Sequence, residues 1–132
     1  MQALAESYGK GPVSLAQIAQ REQISLPYLE QLVAALRRKG LVESVRGAHG
    51  GYRLTLPPEQ VTLGDVLRAA AEDIGPVGCV DGTGDGSGCD REAECAVRPA
   101  WARLRNTMVD ILDSTTLADL CKNPSKRAPE PC

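Results

Sequence analysis

The sequence predicts a mainly α-helical chain with one small β-hairpin, and three stretches carry that prediction. Between Ser25 and Lys39, apolar residues recur at Leu29, Leu32, Val33 and Leu36, a spacing that puts them on one helix face. Directly after it, Leu41–Val45 and Tyr52–Leu56 alternate apolar and polar residues around Arg46-Gly47-Ala48-His49-Gly50-Gly51, the pattern of a glycine-tipped hairpin. Further on, Trp101, Leu104, Met108 and Ile111 step by three, four and three along a longer helical segment. A helix ending in Arg37-Arg38-Lys39, followed at once by a basic hairpin, is the plan of a winged helix-turn-helix. Such a unit sets one helix in a DNA groove and lays the wing on the backbone beside it.

Each element has its own local marks. Met1–Tyr8 reads as the last turns of a helix, broken by Gly9-Lys10-Gly11-Pro12. Ser14 is placed to cap a short helix with Gln17 as its capping-box partner, burying Leu15, Ile18 and Ala19. Gln23-Ile24 is the turn. Ser25 caps the presumed recognition helix, and Pro27 falls in its first turn, where a missing N–H costs nothing. Gly40 stands where a left-handed C-terminal cap belongs. Pro57-Pro58 ends the hairpin, and Thr62 with Asp65 forms a capping box on a helix whose Leu63, Val66, Leu67 and Ala70 face the core.

From Gly75 to Glu94 glycine and aspartate dominate, with Ser87 among them, and no periodicity survives. Cys79, Cys89 and Cys95 punctuate this loop. Pro99 suits the first turn of the long helix that follows. Its apolar stripe is as narrow as a coiled-coil seam, so it calls for a partner helix, most simply that of a second copy. Thr116 with Asp119 caps a short final helix, and 122–132 reads as a disordered tail. The expected organisation is a DNA-binding domain over 1–73, a cysteine loop over 74–98, and a dimerisation helix with the short final helix over 99–121.

Net charge is −2, which alone argues against a nucleic-acid binder, but the average hides an asymmetry. Residues 1–58 hold seven Lys/Arg against four acids, the remainder eight against thirteen. Phosphate contacts follow local charge, so the basic half keeps that function open. No run is long enough to span a membrane and no signal peptide is visible, so the chain is expected to be cytoplasmic. No nucleophile–base pair, P-loop or dinucleotide fingerprint suggests an enzyme. Phe is absent, so aliphatic side chains must build the core.

The spacing C-x9-C-x5-C places three thiols in a loop whose glycines permit wrapping around one centre. Soft sulfur ligands select zinc, copper(I) or iron–sulfur clusters, and spacing alone does not choose among them. Structural zinc sites favour four ligands in short C-x2-C pairs, which are missing here. Thiol redox switching and inert cysteines are the competing readings.

Taken together, ISLPYLEQL, LRRKGLV, SVRGAHGGYRL, LGDV, the three loop cysteines, CAVRPAW and LDSTTLADL resemble the IscR/NsrR/CymR group, the Rrf-two family of bacterial transcription regulators. SVRGAHGGYRL is the most specific part of that resemblance. It implies a dimeric winged helix binding a near-palindromic double-stranded operator, with a long helix crossing to the partner. Cys79, Cys89 and Cys95 match the cluster ligands of IscR-like members, which implies an iron–sulfur cluster, [2Fe–2S] ahead of [4Fe–4S]. Ser25, Pro27, Tyr28, Glu30, Gln31 and Arg38 match the recognition helix, and Arg46, Gly47, His49, Gly50, Gly51 and Tyr52 match the wing. Glu30 matches a residue that reads bases, since a carboxylate accepts from cytosine N4.

Two departures stand out. Arg98 occupies the position of the histidine that completes the IscR-like cluster, and arginine cannot ligate. The chain also begins later than the family pattern, so its first helix is expected to be incomplete. The competing implication is a CymR-like regulator of cysteine metabolism without a cluster, working through thiol oxidation or a partner protein. A cluster carrier that uses the winged helix for protein interaction is a further alternative, and the basic wing argues against it.

Overall fold

The computed structural model describes residues 1–70, 74–80, 89–90 and 92–122. Among the described residues six helices and one hairpin follow in the order α1 (Gln2–Glu6), α2 (Leu15–Glu22), α3 (Leu26–Arg38), β1 (Val42–Val45), β2 (Gly51–Leu54), α4 (Leu63–Ala69), α5 (Arg98–Ser114) and α6 (Leu117–Lys122). Single 3₁₀ turns occupy Pro58–Gln60 and Glu92–Glu94. The expected tail beyond Lys122 and the loop residues 81–88 lie outside the described residues.

The helix-turn-helix forms as its caps dictate. Gln23 closes α2 in the left-handed conformation, and Ser25 Oγ accepts from the Tyr28 N–H at 3.3 Å to start α3. At the far end Gly40, with φ +73°, lets its own N–H reach the Arg37 carbonyl while the Leu41 N–H reaches that of Leu36. That pair of bonds is a Schellman cap, which turns the chain directly into β1. The Ser14–Gln17 capping box is not formed: Ser14 is the N-cap of α2 but its side chain makes no cap bond. The entry to α2 is fixed instead by the neighbouring Val13, which pairs with Tyr52 of the wing.

β1 and β2 pair antiparallel with Val42 opposite Leu54 and Val45 opposite Gly51. Both strands are shorter than the alternation predicts. The Leu41 N–H is spent on the helix cap while its carbonyl still accepts from the Thr55 N–H at 3.2 Å, and the Thr55 hydroxyl donates to the Gly40 carbonyl.

The core joins Leu29, Val33 and Leu36 of α3 to Ile18, Ala19, Val42 and Leu54. Its deepest side chains include Val61 and Leu117, both fully buried. α6 is therefore a core element, packed against α1 and the turn at Pro58–Gln60. Leu4 of α1, with little nearby in sequence to pack on, is buried in that same cluster. In α4 Leu63 and Val66 pack against the core as expected, whereas Leu67 and Ala70 are only half-buried and Gly64 and Ala69 are the buried positions. The Thr62–Asp65 and Thr116–Asp119 caps both form reciprocally.

α5 contains no buried residue. Its stripe of Trp101, Leu104, Met108 and Ile111 is 37–58% exposed, an apolar face that the described residues leave uncovered. Among the described residues no helix is long and apolar enough to cross a membrane.

Candidate nucleic-acid interface and cysteine loop

α3 buries one face and presents the other. Tyr28, Glu30, Gln31, Ala34, Arg37 and Arg38 are all exposed, with Tyr28 at 52%. The polar positions thus lie away from the core that Leu29, Val33 and Leu36 build. Ser25 and Pro27 stand at the exposed first turn, and the Ser25 hydroxyl is engaged in capping.

A shallow cleft of about 370 Å³ runs between this helix and the wing, lined by Glu30, Ala34, Arg37, Arg38 and Tyr52. Three of the expected residues, Glu30, Arg38 and Tyr52, therefore come together at one place. Ala34 and Arg37 were not among the expected contacts. Their signal is in the periodicity, since positions four and seven after Glu30 fall on the same helix face.

The wing tip projects beyond the ladder. Arg46, Gly47 and His49 are exposed, Gly50 half-buried, and the Gly50 N–H closes the tip onto the Gly47 carbonyl at 3.0 Å. At the base, Glu43 and Arg53 face each other across the strands and form an ion pair at 2.7 Å. The Arg53 charge is so committed, whereas Arg46 is left to the tip.

The cysteines are distributed differently. Cys79 and Cys95 are half-buried free thiols and Cys89 is exposed. The Cys95 carbonyl accepts from the Arg98 N–H at 3.3 Å, which places Cys95 in the turn leading into α5. Three thiols are a donor set of the right chemistry for a thiophilic metal or cluster. No three His, Cys, Asp or Glu side chains come together as a metal-holding group among the described residues. Cys121 lies on α6, half-buried against the core, where burial and then Glu6 and Glu59 push its thiol up.

The profile of the Rrf2 family, described as an iron-dependent transcriptional regulator, matches residues 1–123. The chain belongs to the Rrf2 family. It is 44% identical to the HTH-type transcriptional regulator CymR of Bacillus subtilis over 117 residues, 89% of this chain and 78% of that one. It is 39% identical to the HTH-type transcriptional regulator IscR of Cereibacter sphaeroides over 127 residues, 96% of this chain and 81% of that one. Two solved structures superpose equally well. CymR, the global cysteine regulator of B. subtilis, gives a TM-score of 0.73 at 42% identity, covering 92% of this chain and 86% of that one. IscR of T. potens gives 0.73 at 37% identity, covering 99% and 84%. The Rrf2 chain described here is accordingly a transcriptional regulator of winged-helix fold, and its relatives are named as regulators rather than enzymes.

Proposed function

We propose that this Rrf2 regulator acts in the cytoplasm as a homodimeric repressor on a near-palindromic operator, with the cysteine loop as its sensor. The observation that carries the DNA reading is the exposed polar face of α3 beside the wing, with Glu30, Arg38 and Tyr52 lining one cleft. Ser25, Tyr28, Glu30 and Gln31 approach bases and backbone from the first turns of α3. Arg46 and His49 carry the wing to the adjacent groove, as basic tips do in this class of fold. The uncovered stripe of α5 supports pairing through that helix, which spaces two recognition helices for two half-sites.

For the sensor, Cys79, Cys89 and Cys95 would hold an iron–sulfur cluster, with a fourth ligand other than Arg98. A bound cluster supplies a centre whose loss or oxidation alters the loop at the start of α5. The test joins two readouts on anaerobically purified protein. Iron and sulfide near stoichiometry that vanish in Cys95→Ala support the cluster. Fluorescence anisotropy with a near-palindromic duplex, weakened in Arg46→Ala at unchanged iron content, supports the DNA contacts.

One observation favours a second reading: among the described residues the three loop thiols do not form one metal-holding group, and Arg98 stands where the resemblance calls for a histidine ligand. In that reading the regulator works without a cluster, as a CymR-like regulator of cysteine metabolism, through thiol oxidation or a partner protein. Protein that takes up no iron after reconstitution, yet changes operator affinity on thiol oxidation, would establish it.

A further inference from the structure

Two of the sequence motifs, LGDV and LDSTTLADL, have no place in the DNA face or the cysteine loop, and the structure brings them together. They meet where α4 crosses α5. The backbone makes the first contact: Thr62 and Thr116 bridge, the Leu63 N–H donates to the Thr115 carbonyl at 2.9 Å, and the Leu117 N–H donates to the Val61 carbonyl at 2.9 Å. One such point holds two helices together but leaves the angle between them free.

The second contact is made by side chains. Arg68 Nη2 reaches Asp113 Oδ1 at 2.6 Å and Asp65 Oδ1 at 3.5 Å. Arg68 is rooted five residues beyond Leu63, about 7.5 Å along α4 at the helical rise, and its side chain reaches back to meet Asp113 over Gly64. The body of α4 is thus tied to the last turn of α5 by side chains as well as by backbone. Gly64 is shaped to this contact, because a Cβ there would overlap the Asp113 carboxylate and crowd the Arg68 guanidinium. The pair is half-exposed, and such pairs add little to global stability. Its value is geometric.

α4 also faces the end of the recognition helix. Lys39, the C-cap of α3, and Leu41 share a small cleft with Asp65, Arg68 and Ala69. The path from α5 to α3 therefore runs through the face of α4 that carries Arg68.

We propose that Arg68 and Asp113, seated over Gly64, are the positioning pair that sets the angle between α5 and the winged unit, and so the separation of the two recognition helices that the dimer selects in DNA. This rests on the dimeric, operator-binding reading above.

The experiment measures that separation twice. Pulsed dipolar spectroscopy uses a spin label on a keto-bearing amino acid at position 31, which leaves the cysteines untouched. Anisotropy uses duplexes with the preferred half-site separation, with one base pair more or fewer, and with a single half-site. In Arg68→Ala and in Asp113→Ala the distance distribution broadens and the preference for one separation falls about fivefold or more. Single-half-site affinity and Tm stay near wild type, Arg68→Lys recovers part of the preference, and the double variant is no worse than either single one. Unchanged distributions and spacing preference in both variants would overturn the proposal. So would a loss that is equal on every duplex and follows a fall in Tm. Failure of the underlying reading looks different. A wild type with no dipolar coupling is no dimer, which ends the proposal with it. A wild type with a sharp distance but no affinity for DNA refutes the operator reading alone, and the width of the distribution then decides whether Arg68 and Asp113 position the helices.

Discussion

Val13 and Tyr52 exchange two backbone hydrogen bonds of 2.9 Å each, tying the segment that enters α2 to the second strand of the wing. Gly51 lies under this crossing, and a Cβ there would drive into the Val13 carbonyl. The wing is thereby held in place relative to the helix-turn-helix by backbone contact in addition to the packing of Val42 and Leu54 in the core. Gly51→Ala should cost about 1–3 kcal/mol, as overpacking of a tight contact does, measured by urea denaturation. Operator affinity should fall with it, because displaced wing and recognition helix no longer fit one site.

Arg46 is exposed at the wing tip, while the nearby Arg53 is paired with Glu43. A free arginine at a wing tip serves phosphate or groove contact, and its loss should be felt on every sequence. Arg46→Ala is expected to weaken binding to specific and unrelated duplexes alike, and to reduce the slope of log affinity against log salt by about one. Glu30→Ala should behave differently, relaxing base preference by about 1–3 kcal/mol at one position while leaving the salt slope intact. Titrations at several salt concentrations on matched and mismatched duplexes separate the two.

The parts of this fold that were legible in the sequence are those with a local cause. Ser25, Gly40 and the Thr62–Asp65 pair each announce a helix end by chemistry acting over three or four residues, and each forms as read. Ser14 carries the same local mark and fails, because the pairing of Val13 with a residue far along the chain fixes that helix entry instead. Val61 and Leu117 are fully buried, yet nothing in their neighbourhoods distinguishes them from ordinary apolar residues. Their burial comes from α6 folding back on the turn after the hairpin, a contact of long sequence separation. In the candidate site, the exposed face of α3 followed from its periodicity. How the three loop cysteines sit relative to one another has no such period to read.

Asp65 links helix capping to acid stability. The Thr62 backbone N–H, then the Thr62 hydroxyl and Arg68, hold its carboxyl below the ordinary aspartate range. A depressed folded-state value means the charged form is favoured by folding. Its contribution is therefore complete above the unfolded value of about 3.9, and is lost as pH falls through the lower folded value. Asp65→Asn should be less stable than wild type near neutral pH by about 1 kcal/mol, the usual worth of a cap. The difference should shrink at a second, acidic pH, as the solution falls below the ordinary aspartate range through the lowered folded value. Asp119, lowered first by the Thr116 backbone N–H, should give α6 the same pH dependence in the same direction. Urea midpoints at the two pH values test both.

Ile111 is the most exposed member of the α5 stripe, at 58%, and no residue of that helix is buried within the chain. An aspartate at this position is therefore already solvated in the monomer and should not disturb its core. In a paired helix the same aspartate would be taken from water and set against its symmetry mate, at a cost of several kcal/mol. Ile111→Asp should convert the dimer to a monomer by sedimentation equilibrium while its helical circular dichroism and monomer stability stay close to wild type. Binding to a two-half-site duplex should then fall to the level of a single half-site, since linkage between the two winged units is lost. If Ile111→Asp stays dimeric, the stripe is not the pairing surface, and the separation of recognition helices must be set by some other contact.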